Sequence, residues 1–104
     1  MIFIETQVFT RQILDLVDDE SYRALQARLL ENPDAGDVIQ GTGGLRKIRI
    51  AANGHGKSGG ARVIYYHFAT ASQIVFLLAY PKGSQDELTN EQRKLLSQVI
   101  EKWR

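Results

Sequence analysis

The sequence predicts an α+β domain in the order β-α-α-β-β-β-α, a small, mainly antiparallel sheet packed on helices. Three observations carry this. Apolar residues recur at helical spacing early in the chain: Val8, Phe9, Ile13, Leu16 and Val17, then Tyr22, Leu25, Leu29 and Leu30. From Leu45 the period drops to two, with Lys47 and Arg49 alternating with Ile48 and Ile50. Two more β-rich runs come next with a short turn between them, the pattern of an antiparallel meander. The 104 residues, free of internal repeats, read as one domain over 1–104.

Met1 to Glu5 (M-I-F-I-E) is a short β-prone strand. Thr6 to Val17 is the first helix. Asp18-Asp19-Glu20-Ser21 breaks it and supplies an N-cap for the second. Asn32-Pro33 ends that helix, because proline disfavours helix in the residue before it. Pro33 to Gly44 is a polar, glycine-rich connection holding Val38 and Ile39. Leu45 to Ala51 is a strand with one apolar and one cationic face. Asn53-Gly54 and Gly59-Gly60 bracket a hairpin loop. Ala61 to Phe68 is the next strand, Thr70-Ala71-Ser72 a turn, and Gln73 to Tyr80 the last strand. Its unbroken apolar run, Ile74 to Tyr80, suits a buried strand and is far short of a membrane span. Thr89-Asn90-Glu91-Gln92 is a capping box. The helix it opens takes Leu95, Leu96, Val99, Ile100 and Trp103 as its core face. The helices are expected on the inner face of the meander, and Lys47 and Arg49 on its outer face.

Charge is unevenly distributed. Residues 41–82 hold no Asp or Glu but six cations: Arg46, Lys47, Arg49, Lys57, Arg62 and Lys82. Residues 1–40 hold three cations and eight anions, so a segment of +6 lies beside one of −5 within a formal total of +1. Such polarisation fits a polyanion site on one face, or a solvated basic sheet. There is no cysteine, which excludes disulfides and a thiol nucleophile and fits a reducing cytosol. Met1 to Thr10 lacks the basic region and long apolar run of a signal peptide.

Two motifs are set aside. Ala51 to Ser58 (A-A-N-G-H-G-K-S) fits a loose phosphate-binding loop, but Gly59-Gly60 leads into a strand where that loop needs a helix. His55 and His67 lack partners at ligand spacing, so no metal site is expected. No carboxylate is available within the basic segment. Chemistry on this sheet then falls to cations and hydroxyls. RNA cleavage by the 2′-hydroxyl needs a base, cations for the phosphorane and an acid for the leaving oxygen. Lys47, Arg49 and Arg62 lie on adjacent strands with Lys82 just after the third, so they can converge on one phosphate.

The stretches G-D-V-I-Q-G-T-G-G-L-R-K-I-R-I (Gly36 to Ile50), G-G-A-R-V-I-Y-Y (Gly59 to Tyr66) and L-L-A-Y-P-K (Leu77 to Lys82) resemble the HigB branch of the RelE toxin superfamily. The resemblance covers nearly the whole chain, including the final N-x-x-Q-R-K-x-L helix. It implies a RelE-like fold and the toxin half of a bacterial type II toxin–antitoxin pair, an endoribonuclease cutting messenger RNA on the ribosome. By position, Lys47 and Arg49 match the family's basic pair, and Arg62 the arginine opening the next strand. Lys82 falls where the family usually has a cation. Lys47 is then base or charge stabiliser, Arg49 and Arg62 stabilise the phosphorane, and Lys82 is the candidate acid. Arg46 and Lys57 contact RNA backbone, with Tyr66 and Tyr80 as further RNA-binding residues. Many members carry a Tyr or His near the start of the last helix; here that place reads Glu87-Leu88-Thr89. The acid is therefore open among Lys82, Tyr80 and Tyr66. The implied partners are an antitoxin with a helix-turn-helix DNA-binding part, the ribosome and its message. No cofactor, metal or membrane is implied, and the expected location is the cytoplasm. Two rival readings are a toxin of related fold acting on DNA gyrase by protein contact, and an RNA-binding module without cleavage.

Overall fold

Local signals set the helices. The computed structural model describes residues 1–51, 60–85 and 87–103. Thr6 caps α1 (Gln7–Leu16), its hydroxyl accepting from the Phe9 N–H at 3.1 Å. Asp18 caps α2 (Asp19–Glu31), accepting from the Ser21 N–H at 2.8 Å, and Asn32 closes it before Pro33. Thr89 and Gln92 form the expected capping box ahead of α3 (Asn90–Trp103), with reciprocal bonds of 3.0 and 3.1 Å.

The strands are β1 (Ile2–Glu5), β2 (Asp37–Val38), β3 (Arg46–Ile50), β4 (Ala61–Phe68) and β5 (Gln73–Pro81). They form one sheet in the order β1-β5-β4-β3-β2. The meander β3-β4-β5 is antiparallel, and β1 lies parallel to β5 at the far edge. The two-residue β2 falls in what the sequence presents as a loop; glycines and polar side chains around it hide so short a pairing.

One face of the sheet packs on α1 and α2. Phe9, Ile13 and Leu29 meet Ile48, Val63 and Phe76 there. The opposite face differs from expectation, because it is not simply a solvated cationic surface. Part of it is a second core, where Ile64, Val75 and Leu77 pack with Leu88 and Ile100 beneath α3. The α3 stripe is accordingly narrower than its spacing suggests: Ile100 is buried, but Leu95 and Trp103 are 61% and 42% exposed.

A bulge in β5 reconciles the two cores. Ile64 pairs with Leu78, but Tyr65 pairs with Phe76, leaving Leu77 as the extra residue. The bulge resets the alternation. Ile74, Phe76 and Ala79 face α1 and α2, while Val75, Leu78 and Tyr80 face the other side. This explains the unbroken apolar run, and it turns Tyr80 onto the face that carries Arg62.

The α2–β2 connection is pinned from below. The buried Tyr65 hydroxyl donates to the Pro33 carbonyl at 2.8 Å and accepts from the Gly36 N–H at 2.9 Å. A Cβ at Gly36 would fall 2.8 Å from both the Lys47 carbonyl oxygen and the Tyr65 ring, so only glycine fits without rearrangement. Tyr65→Phe orphans a buried N–H and should cost about 1–3 kcal/mol in a urea melt. His67 Nδ1 lies 3.0 Å from Asp34 Oδ1, and this hydrogen bond holds the Asp34 carboxyl below its ordinary range, with the Arg46 charge assisting. The folded value is the lower one. The stabilisation is therefore present above the ordinary carboxylate range and lost as pH falls through the depressed value. Asp34 is well exposed, so Asp34→Asn should flatten the acid limb of a melting profile only slightly.

Candidate active site

Lys47, Arg49 and Arg62 gather on the face of the sheet opposite the α1–α2 core. Cross-strand register sets Arg49 opposite Arg62, and Arg62 opposite Tyr80. The row beside it runs Asp37, Lys47, Ile64 and Leu78. Directly opposite residues share a face with Cβ atoms about 5 Å apart, where like charges repel. The Arg49–Arg62 juxtaposition concentrates positive charge that suits an anion above it. A cleft of about 460 Å³ opens here, lined by Arg28, Gly36, Asp37, Lys47, Arg49 and Arg62.

Among the described residues, two carboxylates reach this cluster. Glu87, just before α3, places Oε1 3.6 Å from Lys47 Nζ and Oε2 3.2 Å from Arg93 Nη2. Asp37 stands across the β2–β3 ladder from Lys47 and lines the same cleft. The expectation that only cations and hydroxyls are available is therefore corrected. The basic segment lacks acids, but the fold imports them from either side of it.

Tyr80 is almost fully buried, and its hydroxyl has no hydrogen-bond partner among the described residues. Burial pushes its phenol above the ordinary tyrosine value, the Arg62 charge opposes this and Glu87 reinforces it. The hydroxyl is therefore a protonated donor, one register step from Arg62.

The family model for the RelE toxin of the RelE/RelB toxin–antitoxin system matches residues 5–104. The chain belongs to the RelE toxin family. It is accordingly a toxin of a toxin–antitoxin pair, in a family whose members are generally ribosome-dependent messenger RNA endoribonucleases; an antitoxin and the ribosome are its implied partners. Among the described residues, no helix of this RelE-family toxin is long and apolar enough to cross a membrane, and no three His, Cys, Asp or Glu residues come together as a metal site.

The residues expected from the sequence of this RelE-family toxin divide into groups. Lys47, Arg49 and Arg62 share one face and one cleft. Arg46 points to the opposite face, because β3 alternates. Its guanidinium donates to the Gly36 and Asp34 carbonyls at 2.7 and 3.2 Å and lies 3.5 Å from Asp34 Oδ1. Tyr66 leans over Gly44 in the second core, 4.6 Å from the Phe68 ring. Lys82 is exposed beyond β5, its N–H bonded to the Gly60 carbonyl at 3.2 Å. Lys57 and most of Ala51 to Ser58 lie outside the described residues. On the C-terminal side of that segment the chain enters strand β4, which begins at Ala61.

Arg28, Asp37, Glu87 and Arg93 are not evident as site residues in the sequence. Each lies outside the basic segment, and on its own stretch each reads as an ordinary surface charge.

Proposed function

We propose that this toxin, a member of the HigB branch, cuts messenger RNA in the ribosome without a metal ion, at the cleft beside Lys47, Arg49 and Arg62. The observation that carries the reading is the register row Arg49–Arg62–Tyr80 with Lys47 beside it, three cations and a protonated phenol on one face. The 2′-oxygen attacks the adjacent phosphorus as its proton leaves, and the bond from phosphorus to the 5′-oxygen breaks. Arg49 and Arg62 stabilise the charge on the phosphorane oxygens, and guanidinium forks suit that geometry. Lys47, ion-paired in the resting state, acts as a charge stabiliser. Asp37, across the ladder from it, takes the 2′-hydroxyl proton. Arg46 braces the α2–β2 connection and does not contact RNA.

The leaving 5′-oxygen needs a proton, and of the two candidates Tyr80 stands nearer the cations; its hydroxyl is buried at rest, so this role requires that RNA binding uncover it. Tyr80 stands beside Arg62, whereas Lys82 lies past the end of the strand. Tyr80→Phe should lower the single-turnover rate about 10²-fold or more, the usual worth of a positioned acid. Lys82→Ala should change it only a few-fold; a larger loss for Lys82→Ala would return the role to the lysine.

The products test the chemistry. Message cut on programmed ribosomes should end in a 2′,3′-cyclic phosphate, and the downstream fragment should accept label from a polynucleotide kinase without phosphatase treatment. A 5′-phosphate on that fragment would contradict 2′-hydroxyl attack. Binding without cleavage would leave only an RNA-binding module, and inhibited supercoiling with intact message would point to gyrase.

A further inference from the structure

Glu87 occupies the kind of place a substrate phosphate needs, between two cations. It bridges Lys47 Nζ and Arg93 Nη2 at 3.6 and 3.2 Å. Its backbone is held there. Gln85 Nε2 donates to the Glu87 carbonyl at 2.8 Å and to Gln92 Oε1 at 2.9 Å, and Gln92 closes the α3 capping box. The next residue, Leu88, is buried in the same core as Tyr80.

Arg93 supplies a second observation. Its Nε is buried and has no hydrogen-bond acceptor among the described residues, while Nη2 of the same guanidinium holds Glu87. Nε and Nη2 form one edge of the fork, which grips a carboxylate or phosphate with two parallel hydrogen bonds. Glu87 uses half of that edge.

We propose that Arg93 is a phosphate-contacting cation of this site and that Glu87 is its resident counter-anion, displaced from Lys47 and Arg93 when an RNA phosphate enters. The inference rests on the reading of this face as a phosphate site. The exchange is feasible because Glu87 is well exposed and exposed ion pairs are weak. A phosphate that takes the place of Glu87 offers oxygens to both Nε and Nη2 of Arg93 and to Lys47 together. Until it arrives, Glu87 keeps the two cations aligned and opposes adventitious polyanions. One anion replaces another, and no covalent bond changes.

The test uses programmed ribosomes whose message carries 2′-O-methyl riboses, so that affinity is read without cleavage. Glu87→Gln removes the competing charge and should tighten binding about two- to five-fold, the worth of an exposed pair. It should also steepen the slope of log affinity against log salt by about 0.7. Arg93→Ala should weaken binding and make that slope shallower, both alone and with Glu87→Gln. Unchanged binding in Glu87→Gln overturns the proposal; an accompanying rate loss of about 10²-fold on unmodified message would make Glu87 the proton acceptor instead. If Arg93→Ala has no effect once Glu87→Gln is present, Arg93 merely holds Glu87 and the proposal fails. Lys47→Ala and Arg62→Ala separate the two levels. If both bind and cut as wild type, the phosphate-site reading itself falls. If they are impaired while Glu87→Gln does not tighten binding, only this inference falls.

Discussion

Arg62→Ala is expected to lower single-turnover cleavage by about 10²- to 10³-fold, the usual loss for one preorganised charge stabiliser. Expressed without antitoxin, the variant should no longer arrest growth. Arg62 is central to the row, with Arg49 on one side and Tyr80 on the other. Its proposed work is on charge that builds only in the transition state, so the rate should fall far more than the affinity. The fold should tolerate the change. Arg62 faces away from the α1–α2 core, so truncating its side chain opens no cavity there. A melting temperature near that of wild type, beside the lost activity, is the expected pair of results.

Phe76→Ala should have the largest effect on stability, about 3–5 kcal/mol. Phe76 is fully buried in β5, and its ring centroid lies 4.9 Å from Phe9, 5.7 Å from Tyr22 and 5.8 Å from Phe3. Those partners come from α1, α2 and β1, so one ring joins three elements around that side of the sheet. A domain of this size has about 5–15 kcal/mol of total stability, and the variant would be left near its margin. Urea unfolding should show a lower midpoint with an unchanged slope. A loss under about 1 kcal/mol would place the centre of this core elsewhere.

The helices and the meander are legible in the sequence because their signals are local. Thr6, Asp18 and the Thr89–Gln92 box sit where capping chemistry needs them, and β4 has the bounds read from its β-branched and aromatic run. The bulge at Leu77 is not legible. An unbroken apolar run carries no phase, so which face receives Tyr80 depends on a register that only the paired strands fix. The side taken by α3 is hidden for a related reason: Leu95 and Ile100 are equally apolar, and the sheet decides which is buried. At the site, Lys47, Arg49 and Arg62 are readable because strand alternation places them on one face. Arg46 shows the limit of reading charge without phase. It is one residue from Lys47 and belongs to the opposite face, where it holds the Asp34 and Gly36 carbonyls. Asp37, Glu87 and Arg93 reach the site only through long-range pairing and the placement of α3, which the charge count cannot register.

The Lys47–Arg49–Arg62 face is proposed to perform the chemistry and not merely to dock RNA. Single-turnover cleavage on saturating programmed ribosomes, with the bound fraction and a thermal melt recorded on the same preparations, tests it most directly. Lys47→Ala and Arg62→Ala should remain folded and bound while cutting at about one hundredth of the wild-type rate or less. If both variants, folded and bound, cut at close to the wild-type rate, the cationic face is a docking surface and the account is wrong.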